Sequence, residues 1–350
     1  MVFKRRLSAK SLVNSKLMKN NNFWEKLKNK QRPILALAPM AGFTDSAFRQ
    51  ICHKFGADVL YSEMVSATAL NYFSQTFNSQ TRKRDSGGEA TWELTGFNHR
   101  LEKNYVVQLF GANPEHFATA TTLIEKKLKP AGIDINCGCP AGKVLKQGAG
   151  ADLMKDLNKS RQIIAAVLKN TTLPVSIKIR AKVGKVSAID FLKNISDLPV
   201  AAVMIHGRSL SQGFSGDPDF AIVKKARPYF KGVILINGGI NTLEDAQRAL
   251  KESGADGLGL ARGILGRPWL FQEIKENKII NKNNKQVFHF ILQHARLVEK
   301  IKGPGALIEL RKHLVWYVSG FSGASRLRAQ LVTVKSLADL ENILTKEIKK

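Results

Sequence analysis

From residue 33 onward the chain repeats one pattern, a short apolar run followed by a longer stretch whose apolar positions recur every three or four residues. Runs of strand character lie at 34–38, 58–62, 105–109, 133–136, 175–179, 201–205, 233–236 and 257–260. The stretches between them, for example 114–128, 159–168 and 243–252, have helical spacing; in the second, Ile163, Ile164, Val167 and Leu168 share one face. Eight strand-helix units over about 230 residues predict an α/β fold, a (β/α)8 TIM barrel. An open doubly wound sheet is the alternative. It would want a glycine-rich loop after the first strand, and Ala38-Pro39-Met40-Ala41-Gly42 is not one.

One interruption stands out, the polar, turn-rich stretch 74–104 around Arg82-Lys83-Arg84-Asp85-Ser86-Gly87-Gly88, expected to be a long loop at the barrel mouth. Past Phe271 the strand signals stop, and helical patterning at 287–301, 305–318, 324–331 and 336–348 predicts a C-terminal helical bundle. The expected organisation is therefore a basic N-terminal arm over 1–31, a barrel over 32–276 and a helical domain over 285–350, with an Asn/Lys-rich linker before the last. Glu25 is the only acid in the arm, which reads as a mobile tail able to touch phosphates; its Arg/Ser bias also fits an organellar presequence.

Composition narrows this picture. Of 350 residues, 44% are hydrophobic and 24% charged, which argues for a globular chain and against disorder or coiled coil. Three cysteines give no disulfide framework and point to a reducing, cytoplasmic setting. The apolar stretch 34–43 is too short to span a membrane and contains Pro39, so a soluble protein is expected, working as a monomer. The net charge of +27 makes a polyanion the natural partner, nucleic acid before an anionic membrane surface. A Lys- and Asn-rich compositional bias would give the same count, so charge alone leaves the partner open.

Candidate chemistry concentrates in Gly132-Ile133-Asp134-Ile135-Asn136-Cys137-Gly138-Cys139-Pro140, where a strand breaks into a Gly/Pro loop carrying two thiols. Barrel active sites are built at the carboxyl ends of strands, so Cys139 is the leading catalytic candidate. Cysteine is also a common apolar filler, but Cys139 sits in a loop rather than on an apolar face. A metal site fails on ligand count, since the only other cysteine is Cys52.

The other strand ends carry Gln108, Lys178 with Arg180, His206-Gly207-Arg208, Asn237-Gly238-Gly239 and Ala261-Arg262-Gly263. Glycine loops after the seventh and eighth strands commonly hold a phosphate on backbone N–H groups, and Arg262 adds a charged donor, so a phosphorylated cofactor is expected. Lys178 and His206, on the fifth and sixth strands, flank the cysteine loop.

Together these segments, with Thr44-Asp45, Phe48-Arg49, Lys178-Ile179-Arg180 and Gly266-Arg267-Pro268-Trp269, resemble the tRNA-dihydrouridine synthases over residues 33–335. Gly303-Pro304, Arg311-Lys312-His313 and Trp316-Tyr317 are similar to the bacterial B-type subfamily. The resemblance implies an FMN-bound barrel that reduces the uracil C5=C6 bond in tRNA with NADPH or NADH. Pro39, Met40, Ala41 and Gln108 would then hold the flavin ring, with Lys178 and His206 touching the flavin or its phosphate side. Asn237, Gly238, Gly239, Ala261 and Arg262 would surround the phosphate. Asn136, Arg180, Arg208, Arg311, Lys312 and His313 would contact substrate or tRNA. Hydride from flavin N5 would reach C6, and Cys139 would give the proton to C5; a free thiol's pKa of about 8.5 suits that task. The chain departs from the family pattern at Cys137 (commonly Met), Gly239 (commonly Asp) and Ala261 (commonly Gly). Two rivals remain: a flavin barrel acting on a free pyrimidine, and a non-catalytic RNA-binding barrel.

Overall fold

A computed structural model describes residues 22–78, 86–320 and 323–348. Eight parallel strands form its centre: β1 (Ile34–Leu37), β2 (Val59–Ser66), β3 (Tyr105–Phe110), β4 (Gly132–Cys137), β5 (Val175–Val183), β6 (Ala202–Ser209), β7 (Val233–Asn237) and β8 (Gly257–Leu260). Neighbours pair in order, β1 also pairs with β8 and β4 with β5, so the sheet closes on itself. This is the expected TIM barrel. A two-residue antiparallel strand, Val186–Ser187, extends β5 beyond the rim.

Alternation along each strand divides the core in two. On β4, Ile133, Ile135 and Cys137 point outward into the large cluster shared with the surrounding helices. Ile34, Ala36, Tyr61, Val106, Met204 and Leu235 belong to a separate cluster that fills the lower barrel.

The arm expected over 1–31 needs correction at its C-terminal end. Residues 1–21 lie outside the described residues, but Phe23–Lys28 form a helix capped by Asn22, whose side chain accepts from the Trp24 N–H at 3.1 Å. Phe23, Trp24 and Leu27 are buried in the barrel-interior cluster, and Trp24 has no exposed surface. The bottom of the barrel thus takes its apolar plug from this segment, which overrides the basic residues around it.

A second correction concerns 74–104. Helices Ala67–Asn78 and Ser86–Glu93 occupy much of it, with the Phe73 and Trp92 rings 5.8 Å apart; residues 79–85 lie outside the described residues. The chain then returns through Glu102, whose buried carboxylate pairs with buried Arg49 at 2.5 Å while Arg49 also donates to the Thr44 and Gly96 carbonyls. The β2–β3 connection is thereby tied to the helix Ser46–Lys54.

After the helix Leu270–Glu276, residues 277–283 lead to the helix Asn284–Lys302, which Asn283 and Gln286 start with a capping box. Helices Leu307–Tyr317, Ala324–Leu331 and Leu337–Ile348 follow. Their shared core includes Ala47 and Ile51 of the helix Ser46–Lys54 and also Trp269, so the bundle is docked on the barrel's flank. The contact tightens at Gly266 (φ +77°), where a Cβ would lie 2.3 Å from the Trp316 carbonyl oxygen. Only glycine allows that approach.

Candidate active site

The carboxyl ends of the strands surround a cavity of about 550 Å³. Fifteen of the eighteen residues singled out from the sequence line it, namely all but Arg311, Lys312 and His313. Met64, Phe214 and Asn241, which nothing in the sequence pattern marks, line it too, as does Trp316 of the Trp316-Tyr317 pair.

The cysteine loop is held by a relay that starts deep in the barrel. Asp134, fully buried, accepts from Ser176 Oγ at 2.6 Å and from Gln108 Nε2 at 2.7 Å. Because Gln108 spends its NH2 on that carboxylate, its Oε1 is left to accept from Asn136 Nδ2 at 2.9 Å. Asn136 Oδ1 must then face the loop, where it accepts the backbone N–H groups of Gly138 and Cys139 at 3.1 and 2.9 Å. The carboxylate, an acceptor only, sets the direction of every amide above it. Burial pushes the Asp134 carboxyl up to about 6, opposed by the donors from Ser176 and Gln108 and by Lys178. At neutral pH it is mainly ionised and able to play this part.

The two thiols separate cleanly. Cys137 is fully buried in the outer core, and desolvation there pushes its thiol well up. Cys139 is partly exposed and lines the cavity. Cys52 is buried in the same outer core as Cys137.

Opposite the cysteine loop lies a cationic cradle. Gly238 (φ +104°) and Gly239 (φ +68°) follow β7; a Cβ on the first would come 2.5 Å from His206 Cδ2, and on the second 2.9 Å from Pro218 Cγ. The aspartate that the resemblance would place at 239 has no room here. Asn237 Nδ2 donates to the Gly259 carbonyl at 2.7 Å and its Oδ1 accepts from Lys178 Nζ at 3.2 Å. Desolvation in the cavity wall, with the charge of Arg180, lowers Lys178 to about 8. His206 is lowered to about 2 by burial and then by Lys178, Arg180, Arg208 and Arg262, so its imidazole is neutral. Arg262 has no hydrogen bond or ion pair among the described residues and lies 4.0 Å over the Phe214 ring. Glycine amides beside the uncommitted Arg262 guanidinium, in one cavity with the apolar side chains of Pro39, Met40 and Ala41, fit a flat ring system carrying a phosphate.

Several expected substrate contacts also make hydrogen bonds within the protein. Arg180, 2% exposed, donates to the Gly138 carbonyl at 2.8 Å and to the Ser209 and Gly213 carbonyls, bracing the cysteine loop against the loop after β6. Arg208 donates to the Gly216 carbonyl in the same loop, and Asn136 is occupied by the relay. Arg311 donates to the Val334 carbonyl at 2.7 Å and to that of Thr333, closing the end of the neighbouring helix. His313 is buried against Phe43, Phe48 and His294 and cannot reach a ligand on the surface. Of that trio only Lys312 turns toward the cavity rim, its Nζ 5.7 Å from the Phe43 ring.

Among the described residues no group of three or more His, Cys, Asp or Glu could hold a metal ion, and no helix is long and apolar enough to cross a membrane.

Residues 36–350 match the family model described as dihydrouridine synthase (Dus). A probable tRNA-dihydrouridine synthase of Aquifex aeolicus (strain VF5) is 29% identical over 316 residues, covering 89% of this chain and 95% of that one. A second, from Helicobacter pylori (strain J99), is 30% identical over 330 residues, covering 91% and 94%. The tRNA-dihydrouridine synthase B of Pasteurella multocida (strain Pm70) is 32% identical over 293 residues, covering 81% and 83%.

Proposed function

Because the chain belongs to the dihydrouridine synthase family, we propose that it reduces the C5=C6 bond of uridine in tRNA to 5,6-dihydrouridine, with FMN in the barrel mouth and Cys139 as the proton donor. The observation that carries this reading is that the one cavity-lining thiol sits across from the glycine and arginine cradle of the β7 and β8 loops.

FMN held there and reduced by NADPH or NADH would supply the hydride for uracil C6. The protein does the rest. Hydride at C6 leaves negative charge at C5, spread to the C4 carbonyl, and the Cys139 Sγ–H delivers a proton there. Water later restores the thiol proton. The relay from Asp134 holds the backbone of the Cys139 loop, so the donor is positioned before substrate arrives. The Gly238 and Gly239 amides, Arg262, His206 and Lys178 would hold the phosphate side, while Pro39, Met40, Ala41 and Gln108 would hold the ring. Lys178 and Arg262 also keep the cavity positive, favouring negative charge on whatever binds there.

Lys312 at the rim and the overall +27 charge support an RNA backbone as the partner. Free thiols at Cys52, Cys137 and Cys139 support a reducing, cytoplasmic setting. The deciding experiment gives the purified, flavin-loaded protein NADPH and either unmodified tRNA or free uridine. Dihydrouridine should form in tRNA and not from uridine; equal turnover of uridine would favour the free-pyrimidine rival, and a protein that holds no flavin would favour the non-catalytic one.

Two expected outcomes follow from the site. Asp134→Asn puts an amide where Gln108 Nε2 needs an acceptor, so the relay can invert and release the cysteine loop. Turnover should fall by about 10-fold to 10²-fold with flavin retained, the scale of a small misplacement of a reacting group; unchanged kcat would show that the relay does not transmit orientation. Lys178 is charged below its value of about 8 and loses charge as pH rises through it. Flavin affinity of the apoprotein should therefore weaken above about pH 8, and Lys178→Met should remove that inflection. A titration of flavin fluorescence against pH checks both.

A further inference from the structure

Resting on the reading above, the geometry points to Trp316 as a stacking platform for the base next to the uridine that enters the cavity, with Lys312 taking the adjoining phosphate. Trp316 lines the cavity, yet 40% of it is exposed. A ring half in the mouth and half in solvent suits a base at the rim rather than the one drawn inside.

The helix Leu307–Tyr317 fixes this ring by other means than its own burial. Leu310, Leu314 and Tyr317 are buried in the bundle core, and Gly266 packs against the Trp316 carbonyl. The backbone is therefore set before any ligand binds, and the indole projects from a rigid support. Lys312 lies four residues earlier, on the same helix face, with its Nζ beside Gly42 and Phe43. An aromatic face with a cation one turn away matches the spacing of base and phosphate along a single strand. Phe214, also exposed, lines the same cavity. A strand crossing the mouth would thus meet a second aromatic face, which favours a splayed single-stranded segment over a duplex.

The test compares Trp316→Phe, Trp316→Leu and Trp316→Ala in the flavin-loaded full chain, measuring Kd for unmodified tRNA, kcat, KM and melting temperature. Loss of one stacked base should raise Kd and KM about 10-fold or more in the Ala and Leu variants, with kcat changing far less. Phenylalanine should restore most of the affinity, because it keeps a π face. Leucine fills similar space without one, so equal affinity of the Phe and Leu variants would overturn the assignment even if the Ala variant melts early. If the wild type converts tRNA and all variants bind it equally, this inference fails while the parent reading stands. If the wild type neither binds nor converts tRNA, both fall.

Discussion

Replacing Cys139 by alanine is expected to slow dihydrouridine formation in tRNA by about 10²-fold or more, the loss typical of a general acid. The thiol is the partly exposed cysteine of the cavity wall, and its loop is held by Asn136 and Arg180 from two sides. Alanine leaves those backbone hydrogen bonds in place, so the defect should be chemical and the protein should stay yellow. Cys139→Ser keeps a hydroxyl in the same position, but an alcohol is a far weaker acid, and most of the loss should persist. Cys137→Ala is the matched control. Its side chain belongs to the outer core, so its substitution should lower stability slightly and leave turnover near wild type. Quantifying dihydrouridine in tRNA after timed incubation separates these outcomes; a slow Cys137→Ala enzyme beside a fast Cys139→Ala enzyme would exchange the two assignments.

Trp24→Ala should destabilise the fold by about 3–5 kcal/mol, the usual range for emptying a large aromatic site in a packed core. The ring is fully buried, lies 4.8 Å from the Phe23 ring, and shares the barrel-interior cluster with Tyr61, Met204 and Leu235. Its Nε1 has no hydrogen-bond partner among the described residues, so the loss is one of packing rather than of a polar contact. Lys26→Ala, on the exposed face of the same short helix, should stay within about 0.5 kcal/mol. Denaturant unfolding of the two variants side by side decides the matter. Equal stabilities would mean that the segment before β1 is an appendage, as its charge pattern suggests, and not the barrel's floor.

Strand positions were legible because barrel strands, covered on both faces, read as short apolar runs. Strand lengths were not. β2 continues to Ser66, β5 to Val183 and β6 to Ser209, past the points where Glu63, Arg180 and His206 interrupt the apolar pattern. Arg180 and His206 keep their strands' backbone pairing while lining the cavity, and Glu63 falls at an irregularity in the β2–β3 ladder where its carboxylate accepts the Gly42 N–H, so polarity there marks a local task and not the strand's end. The helix around Trp24 was hidden for a different reason: Phe23-Trp24-x-x-Leu27 is a single turn among lysines, too short to show a period.

The cysteine loop and the glycine loops stood out through turn chemistry, and the cavity gathers them. Asp134 stands in the same motif, but its role is not legible there because it depends on the register that brings Gln108 and Ser176 beside it. The alternation of β4 offered a signal, since Asp134 and Asn136 share a face opposite Ile133, Ile135 and Cys137. Arg311, Lys312 and His313 show the opposite lesson. Adjacent residues on a helix point about 100° apart, so one closes a neighbouring helix, one reaches the rim and one enters the core.

The most direct measurement of the central claim follows flavin absorbance in a single turnover, mixing NADPH-reduced protein with excess unmodified tRNA. Wild-type flavin should reoxidise rapidly, while Cys139→Ala, reduced by NADPH in the same way, should reoxidise about 10²-fold or more slowly, because the hydride cannot be committed without the proton. Equal reoxidation rates, with equal dihydrouridine recovered from the tRNA, would contradict Cys139 as the donor and with it the account of the cavity.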